Sequence, residues 1–237
     1  MRIKTISCLF ALLTVLLSGC MYPDQQLTQN QVPYKDQIQS VQSAVDSFRK
    51  DNGGILPIAS KDSNIPLYQR YPVDFKKLAP KYMAEPPGNA YENGGIFQYV
   101  LVNIETKPEV KLLDLRMTES IRDLKLRINA HGYPPYKKKL ADNVYTIDYK
   151  QLGYQRPPFI ESPFTNHNLS FVINGNADIY VDYSPDLNLA LKKKNVKVKP
   201  GEDIRSILLN DSMFVPAYSL PYTLDAKTKE PIFLEQK

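Results

Sequence analysis

The chain contains no tryptophan and only two cysteines among its 237 residues, so covalent cross-links contribute little to its fold. Cys8 lies inside an N-terminal apolar run, and removal of that run as a signal peptide would leave Cys20 alone. A single thiol forms no internal disulfide, and no metal-ligand spacing surrounds it. We therefore expect the folded part to depend on packing alone.

Long apolar runs are also scarce. The N-terminal run covers residues 6–17 and follows Arg2 and Lys4. This order of a basic start and a short apolar stretch is typical of an export signal, and the run is shorter than a membrane span requires. The sequence predicts an exported protein.

Sequence patterns of common catalytic sites are missing too. The chain has no Gly-x-Ser-x-Gly elbow, no P-loop and no His-Glu-x-x-His. Its two histidines are His131, at a predicted helix end, and His167, between two asparagines. An imidazole at a helix end caps carbonyl groups favourably, so a structural role is favoured for both. We expect no enzyme and no cofactor.

The charge excludes a further class of function. The formal net charge is +5, and Arg2 and Lys4 would leave with the signal. Nucleic-acid-binding domains usually concentrate far more basic charge on one face, so nucleic acid is not an expected partner.

The segment Leu16-Leu17-Ser18-Gly19-Cys20 resembles the lipobox of bacterial lipoproteins. An ordinary secretory site would favour Ala-x-Ala, which is absent here. The resemblance implies that Cys20 becomes the first residue and carries diacylglycerol and an acyl chain such as palmitate. Two chains give stable anchoring, so we expect a location on the extracytoplasmic face of the cell membrane.

Five segments follow from the pattern along the chain. Residues 1–19 are predicted to be the signal peptide and residues 20–35 a lipidated polar tether. A first α+β repeat covers 36–115, with an amphipathic helix through residues 38–48 that ends at Gly53-Gly54. Strands are predicted at 97–104 and 110–115.

A second α+β repeat is predicted over 116–190. Its helix, residues 116–129, ends before Gly132, and residues 145–152 then repeat residues 71–78 with four of eight positions identical. The shared offset of 74 residues favours a tandem duplication, although a chance match of common elements is the alternative. The last segment, 191–237, is predicted to hold a short helical stretch at 202–209 and a hairpin at 222–234.

The repeat unit resembles the globular heads of type II secretion pseudopilins. The matching stretches are residues 40–57 and 85–100, whereas the second repeat keeps only Asn129, Gly132 and Pro134. The resemblance implies a head-like fold of a helix followed by an antiparallel sheet. No prepilin cleavage site or long apolar helix is present, so filament assembly is not expected.

At the level of the whole chain, the lipobox, the QNQVPYKDQ segment and the GGILPI stretch resemble uncharacterised membrane lipoproteins of the YphF type from Bacillus and its relatives. That resemblance implies a membrane-anchored location and brings no assigned activity.

One group of oxygen ligands is a candidate calcium site. It comprises Asn174, Asn176, Asp178 and Asp182. Calcium prefers such ligands, but the spacing departs from the EF-hand loop. A strand through residues 179–183 with its polar side chains facing solvent is the alternative.

A basic run is the candidate surface for anionic ligands. Its members are Lys192, Lys193, Lys194, Lys197 and Lys199. Anionic phospholipids and wall polymers both attract lysines in this compartment, whereas a solvated edge strand protected by lysines is the alternative. A second run, residues 137–139, is predicted to be an exposed loop.

Two functions from different classes remain open. The first is a non-enzymatic lipoprotein that binds an envelope protein or an anionic wall polymer. The second is an envelope hydrolase or a solute-capture protein. A deep pocket that includes His131 or His167 would favour the second, and a flat tyrosine-rich face would favour the first.

Overall fold

A computed structural model describes residues 31–59, 62, 65–194 and 198–234. The predicted signal peptide and most of the predicted tether lie outside these residues. Two compact units divide the chain, residues 1–36 and residues 37–237. Within the described residues, no helix combines the length and the apolar character needed to cross a membrane.

Helices and short antiparallel strands make up the described chain, which confirms the predicted α+β class. The helices are α1 (Gln31–Asp51), α2 (Phe75–Leu78), α3 (Arg116–His131) and α4 (Ser184–Lys194). The strands are β1 (Phe97–Val102), β2 (Glu109–Asp114), β3 (Tyr136–Ala141), β4 (Val144–Ile147), β5 (Ile160–Glu161), β6 (Asn168–Leu169), β7 (Phe171–Ile173), β8 (Ile179–Val181), β9 (Tyr222–Leu224) and β10 (Pro231–Phe233).

Helix α1 follows the predicted amphipathic pattern. Val41, Ala44 and Val45 are buried, as the 3.6-residue period requires. The helix ends where Gly53 and Gly54 adopt positive φ angles of 61° and 90°, a conformation that glycine reaches without a steric penalty.

Gln42, in the middle of α1, fixes the helix to the first sheet. Its Oε1 accepts a hydrogen bond from the backbone N–H of Val110 at 2.8 Å, and its Nε2 donates to the carbonyl of Pro108 at 3.2 Å. One amide side chain thereby satisfies two backbone groups at the start of β2.

The first half of the compact unit is an antiparallel arrangement around β1. β1 pairs with β2 on one side, and Pro72 bridges Val100 on the other. Ile58 in turn bridges Val73. The spatial order is therefore the residue-58 segment, the residue-73 segment, β1 and β2.

The second half repeats this order in a regular sheet, β3-β4-β7-β8, with all pairs antiparallel. A matching backbone bond closes each half: Asp74 N–H donates to Pro57 O, and Asp148 N–H donates to Pro135 O, both at 2.8 Å. Helix α1 precedes the first set and α3 the second. The two halves therefore share the same order of elements and one matching backbone hydrogen bond.

The side chains of the two echoed segments also occupy matching places. Phe75 is buried against Tyr99, and Tyr149 donates its hydroxyl to the carbonyl of Phe171 in the equivalent strand. Leu78 and Leu152 are both buried. Among the identities at the 74-residue offset, Leu78 and Leu152 are core positions, and Asp74 and Asp148 are turn positions.

A C-terminal segment, residues 213–218, joins the outer edges of the two halves. Leu112 of β2 donates to Met213 O at 2.7 Å and accepts from Val215 N–H at 3.0 Å. Val181 of β8 donates to Tyr218 O at 2.9 Å. The edges of both sheets are therefore paired with one stretch of chain, which removes two sites for unwanted strand pairing.

The predicted C-terminal hairpin is present as β9 and β10, with its turn at Asp225. Tyr222 fastens it to the start of α4, because the Tyr222 hydroxyl donates to Asp182 Oδ1 at 2.9 Å. The helical stretch predicted at 202–209 is shorter than expected, a 3-10 turn at Arg205–Leu209.

Candidate functional site

The two lysine runs of the sequence lie on elements that meet in the fold. Strand β10 lies in contact with both β3 and α4. β3 carries Lys137, Lys138 and Lys139, and α4 carries Lys192 and Lys193. We call the surface formed by β3, β10 and α4 the lysine face.

The lysines of the basic run at 192–199 lie in different local structures. Lys192 and Lys193 are exposed near the end of α4, Lys194 is its last residue, and Lys199 is exposed in the following turn. Lys197 lies outside the described residues. The edge-strand alternative for Lys192–Lys194 is wrong, because the chain is helical from Ser184 to Lys194.

A local signal for this helix is present in the sequence. The carboxylate of Asp182 accepts from the N–H and the hydroxyl of Ser184, at 2.9 and 2.5 Å, and Pro185 follows in the first turn. An acidic side chain and a proline at these positions are typical of a helix start.

The run at 137–139 is a strand, not the predicted loop. β3 forms the outer edge of the four-stranded sheet, and all of its residues except Ala141 are exposed. Lysines on an exposed edge also hinder pairing with another chain. This explains why an exposed strand can carry three consecutive charges.

The lysine face contains apolar side chains as well as charges. Leu140 on β3 is 39% exposed and Ile232 on β10 is 43% exposed. Lys139 is paired with Asp142 at 3.0 Å. Among the described residues, Lys137, Lys138, Lys192 and Lys193 have no carboxylate within ion-pair distance.

A separate cleft of about 430 Å³ opens between the first half and the C-terminal 3-10 turn. Its lining is largely apolar and includes Tyr68, Leu101 and Leu209. Arg70 and Glu105 line it as well and supply opposite charges. The size and composition are those of small-molecule sites, but neither histidine lines the cleft.

Tyr68 of the cleft is held by a cation. The Arg205 guanidinium lies 5.1 Å from the centroid of the Tyr68 ring and pairs with Asp203 through bonds of 3.0 and 2.6 Å. Burial raises the pKa of Tyr68 to about 12, so its hydroxyl is neutral at physiological pH. It can act there as a hydrogen-bond donor.

The candidate calcium ligands do not come together. Asn174, Asn176 and Asp178 share the β7–β8 turn, where Asn174 Oδ1 already accepts from the N–H groups of Asn176 and Asp178. Asp182 lies beyond the other end of β8, about 13 Å along the strand from Asp178. The described residues hold no group of three or more metal-ligating side chains.

Both histidines occupy turn or helix-end positions. His131 Nδ1 is 2.9 Å from the carbonyl oxygen of Tyr133 at the end of α3, and His167 is exposed. Asp186, which is buried, accepts from the hydroxyls of Ser162 and Thr165 at 2.8 and 2.5 Å. Burial raises the pKa of Asp186. These bonds fasten the β5–β6 turn to the first turn of α4.

Sequence reasoning missed the cleft and the junction of the two lysine runs. Both depend on contacts between elements that are far apart in the chain, for which no local pattern exists. Cys20, the predicted lipidation site, lies outside the described residues.

Residues 34–114 match the family model of the YphF family N-terminal domain. The matched stretch covers most of α1 and ends with β2, and it nearly coincides with the predicted first repeat, 36–115. The match supports the resemblance to the YphF family for this part of the chain. No curated protein and no solved structure matches the sequence.

Proposed function

We propose that the chain is an extracytoplasmic lipoprotein, anchored in the cell membrane by a lipid on Cys20, whose folded part is a non-enzymatic binding module of the envelope. The observation that carries the anchor is the segment Leu16-Leu17-Ser18-Gly19-Cys20 behind a basic and apolar leader. The observation that supports the binding role is the lysine face.

The positive charge of the lysine face suits an acidic partner. Four of its lysines have no carboxylate partner among the described residues, so their charges are available to an anion. An envelope protein with an acidic surface or an anionic wall polymer would complement them. Nothing in this role requires a cofactor.

The anchor is tested by fractionating cells that produce the wild type or Cys20→Ala. Membranes are washed with about 1 M salt, which screens surface charge attraction but leaves a lipid anchor in place. We expect the wild type to stay in the membrane fraction and Cys20→Ala to leave it. Equal retention of both proteins after the wash would refute the anchor.

The binding role is tested by crosslinking in cells followed by mass spectrometry. Enrichment of the same envelope component in repeated experiments, and its loss when Lys138 and Lys193 are changed to Glu, is the expected result. Recovery of nothing except abundant membrane proteins would argue against a dedicated partner.

The cleft at Tyr68 supports a second candidate, a solute-capture protein. Its volume and its apolar lining with one cation and one anion suit a small amphipathic solute. Filling the cleft by Leu209→Trp should abolish any solute-induced rise in the unfolding temperature. A solute that stabilises the variant as much as the wild type does not bind there.

A further inference from the structure

We infer that the lysine face docks on the anionic phospholipid headgroups of the bilayer. The inference rests on the proposed function for the presence of a membrane nearby, and it gives the lysine face a different occupant from the acidic protein or wall polymer considered there. It assigns one occupant, a lipid surface, to β3, β10 and α4 together.

Lysines that are far apart in the sequence lie on elements that are neighbours in the fold. Lys137 and Lys138 stand on β3, Lys192 and Lys193 on α4, and β10 lies in contact with both elements. The β9–β10 turn adds Lys227 and Lys229, both exposed. Each lysine held near an anionic membrane surface adds about 1 kcal/mol of attraction.

Acidic residues reduce this charge without cancelling it. Asp142 pairs with Lys139 at the β3–β4 turn. Asp225 accepts the N–H groups of Lys227 and Thr228 at 2.8 and 2.7 Å, and Glu230 is exposed next to β10. The lysines still outnumber the carboxylates on the joined elements.

Exposed apolar side chains on the same strands distinguish a lipid surface from a soluble polyanion. Ile232 and Leu140 project partly into solvent on β10 and β3, which are in contact. Tyr136, also on β3, is 40% exposed. Apolar and aromatic side chains are stabilised at the headgroup boundary, because they leave water there. A soluble phosphate polymer has no apolar region that could bury them.

The chain length keeps the folded part close to the bilayer. Eleven peptide units separate Cys20 from Gln31, the first residue of α1, and they span at most about 40 Å. This is about the diameter of a compact domain of 200 residues. A tether of that reach raises the effective concentration of lipid at the domain, so a weak docking surface suffices.

The test uses a soluble protein of residues 31–237, because residues 37–237 form one compact unit that contains every buried apolar residue of the described chain. It is sedimented with vesicles of phosphatidylcholine alone or with about 30% phosphatidylglycerol, at low and high salt. We expect binding to the anionic vesicles that is lost at high salt, and little binding to the neutral ones.

Three variants separate the parts of the proposal. Lys138→Glu with Lys193→Glu, one change in each run, should weaken binding by more than about tenfold. The matched control, Lys76→Glu with Lys107→Glu, alters the net charge equally on exposed residues of the first half and should leave binding within about twofold.

Ile232→Ser should weaken vesicle binding severalfold and leave binding to soluble polyphosphate unchanged. Unfolding temperatures verify that each variant is folded.

Failure of the proposal has its own signature. Absence of binding to the anionic vesicles, equal losses in the control and in the lysine-face variant, or binding to polyphosphate without binding to vesicles would each overturn it. Because the soluble protein lacks Cys20, its result is independent of the anchor. A lipoprotein that fails only this test keeps the proposed anchor and loses the lipid contact.

Discussion

Lys111 on β2 donates a hydrogen bond to the carbonyl oxygen of Ser212 at 2.6 Å, and a second to Leu209 O at 3.1 Å. The residues are about a hundred positions apart in the chain. A half-buried ammonium thereby satisfies two carbonyl groups at the C-terminal end of the 3-10 turn and just before the 213–218 segment. Burial lowers the pKa of Lys111, because a partly desolvated ammonium is less favourable than one in water.

Replacement of Lys111 tests whether its two hydrogen bonds stabilise the contact between β2 and the C-terminal part of the chain. Lys111→Met keeps most of the apolar stem but leaves both carbonyls without the donor, so the free energy of unfolding should fall by about 1–3 kcal/mol. Urea denaturation measures the change. The control Lys107→Met removes an exposed lysine of the β1–β2 turn and should shift stability by less than about 0.5 kcal/mol. Equal losses of stability in both variants would mean that the hydrogen bonds of Lys111 do not stabilise this contact.

The 213–218 segment should couple the two sheets. Phe214 packs against Phe97 with ring centroids 5.6 Å apart, so Phe214→Ala removes a packing contact between the segment and the first half. We expect faster amide exchange at Leu112 and also at Val181, whose N–H donates to Tyr218 in the second half. Hydrogen exchange with residue resolution measures both. Faster amide exchange at Leu112 alone would mean that losing the Phe214 contact with the first half does not weaken the contact of the segment with the second half.

The repeated aspartates should contribute equally to stability. Asp74 Oδ1 accepts from Lys76 N–H at 3.1 Å, and Asp148 Oδ1 accepts from Lys150 N–H at 3.3 Å. Asp74→Ala and Asp148→Ala each remove this bond, so each should lower the free energy of unfolding measured by urea denaturation. Asp142→Ala, which removes a surface ion pair, serves as the control and should change stability by less. A large effect at only one of the two sites would contradict their equivalence.

Alkaline pH should destabilise the fold through its buried tyrosines. Burial raises the pKa of Tyr149 to about 12 from the ordinary value near 10. Between these values the folded state retains a proton that the unfolded state has lost, so the stability present below about pH 10 declines as the pH rises toward 12. The decline should be smaller in Tyr149→Phe.

Urea denaturation at about pH 8.5 and about pH 10.5 measures the decline. Tyr91→Phe is the matched control, because the Tyr91 ring is 65% exposed and its removal should leave the pH dependence of the wild type intact. A Tyr149→Phe protein that loses as much stability with pH as the wild type would refute the assignment.

The parts that the sequence predicted well depend on local patterns. Helix α1 and the strands β1 and β2 were recognisable because periodic apolar residues stand between glycine and proline signals. The 74-residue offset was recognisable because Asp74, Leu78 and their counterparts occupy turn and core positions that constrain residue type. The hairpin β9–β10 followed from its polar turn.

The parts that the sequence did not predict depend on distant contacts or on competing local signals. The lysine run at 192–199 was compatible with a solvated edge strand, whereas the helix that begins at Ser184, after Asp182, continues to Lys194. The lysine face requires β10 to lie against β3, although about 90 residues separate them in the chain. Hydrophobic periodicity carries no information about such neighbours.

The 213–218 segment also sets the order in which the protein can mature. A chain is made from its N-terminus, so both sheet edges lack their common partner until residue 218 has emerged. A ribosome that stops earlier would release a product with two open edges, the surface that drives strand pairing between molecules. Incomplete chains of this protein should therefore aggregate, and the full-length chain should gain its solubility in the last tenth of its synthesis.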